Sequence, residues 1–471
     1  MLKTVLGAAG AWFGLLTCAG AETLIVRDVT IIDVETGGRR PDHAIIIRNG
    51  EISKVGPSAD IKTPSDATVI DGREKFLIPG LWDMHVHSHR AERWKYHHPL
   101  FLAHGVTGVR DAGSHLGSAL AAMKWTRDDP IAPRIIWGSP IIDGAPQVNS
   151  FGLSAEDEAS ARALVREMRR LGFDFIKVYD RLDKKAYQAI ASEARARKMR
   201  LEGHVPLGLS PDETTAAGQM LIDHLTLVLE ACTPGALDFV HQEFNASPAE
   251  SDSLALMMDA RFADALQRYD AEECDRLFRS FAANNVWQVP TLVEMRGFFH
   301  ADDPAIVNDP RVALTTPRLL ADWRAFGAEA DPKELANGRK VFAAQMHMMR
   351  AMQDAGVGLL AGTDASSEPW VFAGASLHDE LGLFVAAGLT PLEALQTATI
   401  NPLRYLGRKK TSPVISKGER ADLVLLDADP LTDIDATRRI AAVIKGGTLF
   451  DRAALDGLIE RAKAEALEGG L

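Results

Sequence analysis

Cysteine is almost missing from this chain, with three in 471 residues. That excludes a disulfide-built scaffold, and no Cys-x-x-Cys pair is present to bind zinc or run redox chemistry. Cys18 lies in an N-terminal segment treated below; Cys232 and Cys274 read as two separate buried thiols, although an oxidising compartment would let them pair. Positive charge is in deficit too. Lys and Arg number 52 against 64 Asp and Glu, a net charge of -12, and no basic run offers a nucleic-acid footprint. Internal repeats and low-complexity tracts are absent. Beyond the N-terminus no segment approaches the roughly 20 apolar residues that span a bilayer.

What remains is ordinary globular composition, 46% hydrophobic and 25% charged, at a length that suits one large α/β barrel plus a smaller accessory domain. Residues 1–21 read as a signal peptide: Lys3, an apolar stretch from Thr4 to Leu16, and Ala19-Gly20-Ala21 as a cleavage pattern before Glu22. The apolar stretch is too short for a membrane anchor, and the bulky Leu16 disfavours Cys18 as a lipoprotein cysteine. The mature chain is expected to be exported, periplasmic or secreted, with no stable membrane span after cleavage.

The two ends of the mature chain share a texture of short strands and tight turns. Leu24-Ile25-Val26, Thr30-Ile31-Ile32 and Ala44-Ile45-Ile46-Ile47 are apolar and β-branched, and Asn49-Gly50 marks a hairpin. Ala421 to Leu426 and Ala441 to Lys445 repeat the texture far downstream. Residues 22–76 and 410–450 are therefore expected to form one small β-sandwich, followed by a C-terminal helix over 451–471. Between 77 and 409 strand and helix patterns alternate. Eight strands are expected, at 77–87, 105–111, 134–138, 173–179, 200–204, 220–224, 286–291 and 357–364, with helices such as Glu156 to Arg170 and Lys184 to Arg197 between them. The fold class is thus α/β, a (β/α)8 TIM barrel carrying a β-sandwich built from both chain ends. Two mostly helical insertions, about 226–284 and 292–356, would stand over the active face as a lid or substrate wall.

The chemistry sits at the strand ends. Leu77 to His87 enters from a Pro-Gly corner and closes on His85-Val86-His87, which places both imidazoles on one face of a strand. Two imidazoles side by side suit a divalent metal. Lys177, His204, His224 and Asp364 end further strands. Each has a bland alternative: a turn histidine for His204, a loop cap for His224, a snorkelling lysine, an N-capping aspartate. In a barrel all six side chains converge on one mouth, and it is the convergence that points to a metal site. Tyr179 and Arg181, just past Lys177, are candidates to bind a substrate carboxylate or an oxyanion. His115 and His378 read as surface or packing residues, and His89, His97 and His98 as part of a solvated loop.

At this point the chain is similar to a known family. Pro79 to His87, Gly105 to Asp111, Ile176-Lys177-Val178, Gly203-His204, Asp223-His224 and Gly362-Thr363-Asp364 resemble the metal-dependent amidohydrolase superfamily. So do Thr390 to Leu395, Ala398 to Pro402 and Lys417 to Val424. The resemblance is nearest to the imidazolonepropionase-like branch with Xaa-Pro and Xaa-Arg dipeptidases. It implies two divalent metal ions, zinc being favoured by the imidazole-rich donors, with CO2 carried as a carbamate on Lys177. His85, His87 and Asp364 would hold one ion, and His204 with His224 the other. Burial favours the neutral lysine amine, the form that takes up CO2. A metal-bridging hydroxide would attack an amide carbonyl, with Asp364 as general base turned acid. With the N-terminal signal pattern, the reading is an exported amidohydrolase acting on a small molecule such as a dipeptide or N-acyl amino acid. An esterase or lactonase, a cyclic amidase or deaminase, and a non-catalytic binding protein are the alternatives, and a homo-oligomer is left open.

Overall fold

Hydrogen bonds join the two chain ends directly. In the computed structural model, which describes residues 23–90, 93–365, 368–407 and 414–468, Leu423–Leu426 pairs antiparallel with Phe76–Pro79. The expected signal peptide with Cys18, and the boundary at 409, lie outside the described residues. Ile440–Lys445 and Thr448–Asp451 extend the sheet on one side. On the other side come Thr23–Ile32, Arg39–Arg48 and Glu51–Pro57, the last two joined by the expected Asn49-Gly50 turn with both residues at positive φ. Hydrogen bonding runs through one eight-stranded sheet. It forks at Thr23–Ile32, a ten-residue strand whose first half pairs with Ala67–Asp71 and whose second half pairs with Phe76–Pro79.

The period of two along these strands divides the apolar side chains among separate buried clusters. Leu24, Val26, Ile45, Ile47, Leu423 and Leu425 gather in one buried cluster. Their neighbours Val424, Leu426, Ile440 and Val443 join the main core instead. The strands from the far end of the chain thus dock the sheet on the α/β region.

In that region Leu81–Val86, Val106–Asp111 and Arg134–Trp137 form one parallel sheet. Phe175–Val178, Arg200–Gly203, Leu221–Asp223 and Trp287–Val289 follow in parallel order in a second. Parallel bridges Gly138↔Phe175, Gln288↔Leu359 and Val86↔Ala365 connect the two sheets and the segment at 357–365. This order of parallel strands with intervening helices fits a TIM barrel. The helices begin where local chemistry starts them. Glu158–Leu171 opens on a capping box between Asp157 and Ser160 and stops at Gly172, which is left-handed, while Asp183 caps Lys184–Ala196.

Both insertions are helical, and Leu254, Met257, Met295 and Phe298 from them wall the cleft described below. The first is stapled at its base. Cys232 and Cys274 form a disulfide, which corrects the expectation of two separate thiols. The cause is tertiary: the insertion folds back so that the Asp270 N–H donates to the Cys232 carbonyl at 2.9 Å, bringing Ala271–Asn284 against the end of Val228–Ala231. A cross-link between residues 42 apart restricts the unfolded chain. The Cys232→Ser/Cys274→Ser double variant should therefore lose about 2–4 kcal/mol of unfolding free energy. Denaturant titration without reductant measures it, and unchanged stability would show that the helices hold the insertion unaided.

Candidate metal centre

The six residues expected to converge do so. His85 and His87 sit at the end of Leu81–Val86, Lys177 on Phe175–Val178, and His204 and His224 just past their strands. Asp364 follows the segment at 357–361. All six are buried, and five of them line a cleft of about 290 Å³, with His85 behind. Ring centroids of His224 lie 4.6 Å from His85 and 4.9 Å from His204, and Asp364 Oδ1 is 3.3 Å from His87 Nε2.

Backbone strain brings them there. His224, Thr291 and Asp364 hold φ of 58°, 48° and 57°, a left-handed region that costs non-glycine residues about 1–3 kcal/mol each. Asp223 ends a strand, so ordinary alternation would turn His224 to its opposite side; the left-handed step swings it towards the cleft. Two glycines make room. A Cβ at Gly362 would stand 2.7 Å from His85 Cβ, and one at Gly203, with φ 131°, would stand 2.2 Å from the Val178 carbonyl oxygen.

Hydrogen bonding decides what the imidazoles present. His85 Nδ1 faces the Asp223 carboxylate at 2.9 Å, His204 Nδ1 faces Asp180 at 2.6 Å, and His87 Nδ1 faces the Gly113 carbonyl. Each partner only accepts, so each Nδ1 donates. Burial holds all four rings below the usual histidine range, His85 and His204 well below it and His87 at about 3, which favours the neutral form. The lone pairs of His85, His87 and His204 are then on Nε2. His85 and His87 aim theirs at one another across 3.3 Å. His204 Nε2 and Asp364 Oδ1 are buried with no hydrogen-bond partner. Opposed lone pairs and orphaned acceptors are unfavourable alone and are what a cation satisfies. Two groupings have ligand atoms close enough to share an ion: His85, His87 and Asp364, and His224, Glu294 and Asp364. Burial, then the charges of Glu294 and Glu368, push the Asp364 carboxyl well above its usual range.

Behind the imidazoles lies a layer that sequence reasoning did not assign. Asp223 accepts from His85, from Lys177 Nζ at 2.5 Å and from Arg110 Nη1 at 3.2 Å. Burial alone would raise its carboxyl, but Arg110, His85 and Lys177 hold it well below the usual range. Arg110 also donates to Glu202 at 2.6 Å. Asp223 and Arg110 stand inside quoted motifs, and charge on strands otherwise apolar was the available signal. Asp180 and Glu294 lie outside any motif and carried none.

Of the remaining candidates, Tyr179 lines the cleft with its ring 4.0 Å from that of His204. The Arg181 guanidinium instead donates to the carbonyls of Ser251 and Pro146, at 2.8 and 3.0 Å, tying loops together away from the cleft lining. Arg90, stacked 4.0 Å over Phe151, is the arginine that lines the cleft. His89, His97 and His98 are buried rather than solvated, because Trp94–Ala103 packs inward and His89 bonds Asp111 and His98. His115 is exposed, and His378 is a packing residue between Thr437 and the His104 carbonyl.

Asp223→Asn removes a buried counter-charge shared by Arg110 and Lys177. Breaking such a pair costs about 3–5 kcal/mol. Chemical unfolding of the metal-free variant should show that loss; equal stability would mean that Glu202 alone balances the layer.

Residues 76–450 match the Amidohydrolase family. Over 438 residues the chain is 26% identical to an imidazolonepropionase of Chloroflexus aggregans, covering 88% of this chain and 90% of that protein. Among solved structures it is similar to bottromycin amidohydrolase, with a TM-score of 0.71, 24% identity and coverage of 95% and 91%. A Xaa-Pro dipeptidase with bound methionine in its active site gives a TM-score of 0.65 at 18% identity, covering 91% of this chain and 100% of that one. These two likenesses are of fold. The chain belongs to the amidohydrolase family and is a metal-dependent hydrolase acting on carbon–nitrogen bonds.

Proposed function

We propose that this protein is an exported binuclear amidohydrolase that cleaves the amide bond of a dipeptide or N-acyl amino acid. The observation that carries the reading is the set of nitrogen lone pairs and the orphaned Asp364 Oδ1 that burial and hydrogen bonding aim into one cleft. In this reading the parallel strands close as a (β/α)8 barrel, and His85, His87 and Asp364 hold one ion. His204 and His224 would hold the second, and Lys177, whose Nζ pairs with Asp223, would give up that pairing to carry CO2 as a carbamate. Zinc suits these donors. When bound, the ions supply Lewis-acid polarisation of the carbonyl and an acidified water. The chain's own residues supply the rest. Asp364 takes a proton from the attacking water and returns it to the leaving amine. Tyr179 and Arg90, rather than Arg181, are the cleft residues that would meet a substrate carboxylate.

A cleft of about 290 Å³ sits at the small end of ligand pockets, roughly 300–1,000 Å³, which favours a small molecule over a folded polypeptide. The Cys232–Cys274 disulfide supports export to an oxidising compartment. No helix among the described residues is long and apolar enough to cross a membrane.

Hydrolysis of a library of dipeptides and N-acyl amino acids, with elemental analysis of the active protein, tests the whole reading. Metal should be close to two equivalents per chain. Amidating the substrate's C-terminus should lower kcat/KM at least about tenfold, since a charge-assisted hydrogen bond contributes about 1.5–3 kcal/mol. Equal rates on free and amidated substrates would favour an esterase, lactonase or cyclic-amide role. Separately, Asp364→Asn should keep the fold while kcat falls by about 10²–10⁴. A variant at full speed would remove Asp364 as the proton carrier.

A further inference from the structure

Glu294 is a buried carboxyl in the cleft that the six expected ligands do not include. It stands on Leu292–Phe299, the helix that leaves strand Trp287–Val289, and Glu380 anchors that helix by accepting the N–H groups of Leu292 and Val293 at 3.0 and 2.8 Å. Its Oε2 accepts from the Thr291 hydroxyl at 2.8 Å and lies 2.8 Å from His224 Nδ1. Ligand atoms of His224, Glu294 and Asp364 fall within 4.8 Å of one another. Two buried carboxyl groups so close repel unless protonated or bridged by a cation. Lys177 Nζ is engaged with the Asp223 carboxylate at 2.5 Å. Asp364 Oδ1 faces the same space with no hydrogen-bond partner and is 95% buried as a residue, its exposure being 5%.

We propose that Glu294 is a direct ligand of the centre, its carboxylate binding the divalent ion that His224 and Asp364 face. The inference rests on the metal-binding part of the proposed function and not on the substrate. A carboxylate oxygen from the helix that follows Trp287–Val289 adds an anionic donor to a set otherwise rich in neutral imidazole. It also explains why Thr291 accepts a left-handed backbone: that conformation turns its hydroxyl onto the Glu294 carboxylate.

The test counts zinc rather than turnover. Wild-type protein, Glu294→Gln and Glu368→Gln are loaded with zinc, dialysed against a chelator series and measured by elemental analysis, with circular dichroism to confirm folding. Outer partners of metal ligands typically contribute about 10–100-fold in affinity, and a direct ligand should contribute at least as much. Glu294→Gln should therefore lose one of its two zinc equivalents at a chelator level at least tenfold lower than wild type, while Glu368→Gln keeps both. Equal retention by Glu294→Gln, or equal loss from Glu368→Gln, would overturn the proposal. A structure of zinc-loaded wild type needs no variant: a Glu294 oxygen at about 2.0–2.2 Å from zinc supports direct ligation, and one beyond hydrogen-bond distance refutes it. If wild type binds no zinc at all, the binuclear reading itself has failed, a result distinct from zinc bound without Glu294.

Discussion

The buried Asp223 carboxylate is the contact on which the site depends. It joins His85, Arg110 and Lys177, side chains from three other strands, at a depth where none of them meets water. A lone carboxylate there would be driven to protonate; three donors keep it ionised. The charge then orients its neighbours. It fixes the proton of His85 on Nδ1 and so directs the Nε2 lone pair to the cleft. Asp180 does the same for His204, and the Gly113 carbonyl for His87. The site's geometry is therefore enforced by the hydrogen-bond partners of the imidazoles, Asp223 and the Gly113 carbonyl behind the cleft and Asp180 in its wall.

Burial separates histidines that composition cannot distinguish. His85, His87, His204 and His224 are neutral and aimed at a common space. His97 and His378 are just as buried, but they serve packing and internal hydrogen bonds. The difference is not residue type or exposure but whether the nitrogen opposite the anchored Nδ1 faces another donor set or the protein interior.

The insertions convert this centre into a cleft of limited size. Their apolar residues wall the mouth, while Arg181, tied to two carbonyls, holds the loops that carry part of that wall. The disulfide closes the base of the first insertion, so ordering the wall does not rely on its short helices alone.

Periodicity and turn chemistry made much of this legible in the sequence. Alternation located the paired strands of both chain ends, Asn49-Gly50 their hairpin, and strand-end placement the six converging residues. Those signals are local, and each element carries its own. What the tertiary structure alone decided is non-local. A fork in one long strand joins the strands of both chain ends in one hydrogen-bonded sheet. The fold-back at Asp270 turned Cys232 and Cys274 into a pair. Left-handed steps at His224, Thr291 and Asp364 set which way the site residues point, and such steps stay uncommon even for His and Asp, so residue type alone does not mark them. Asp180 and Glu294 matter only through partners distant in sequence, Asp180 through His204 at 24 residues and Glu294 through His224 and Asp364. Residue types and their order were written in the chain; which polar atoms lose their partners, and so wait for a cation, is set only when the strands come together.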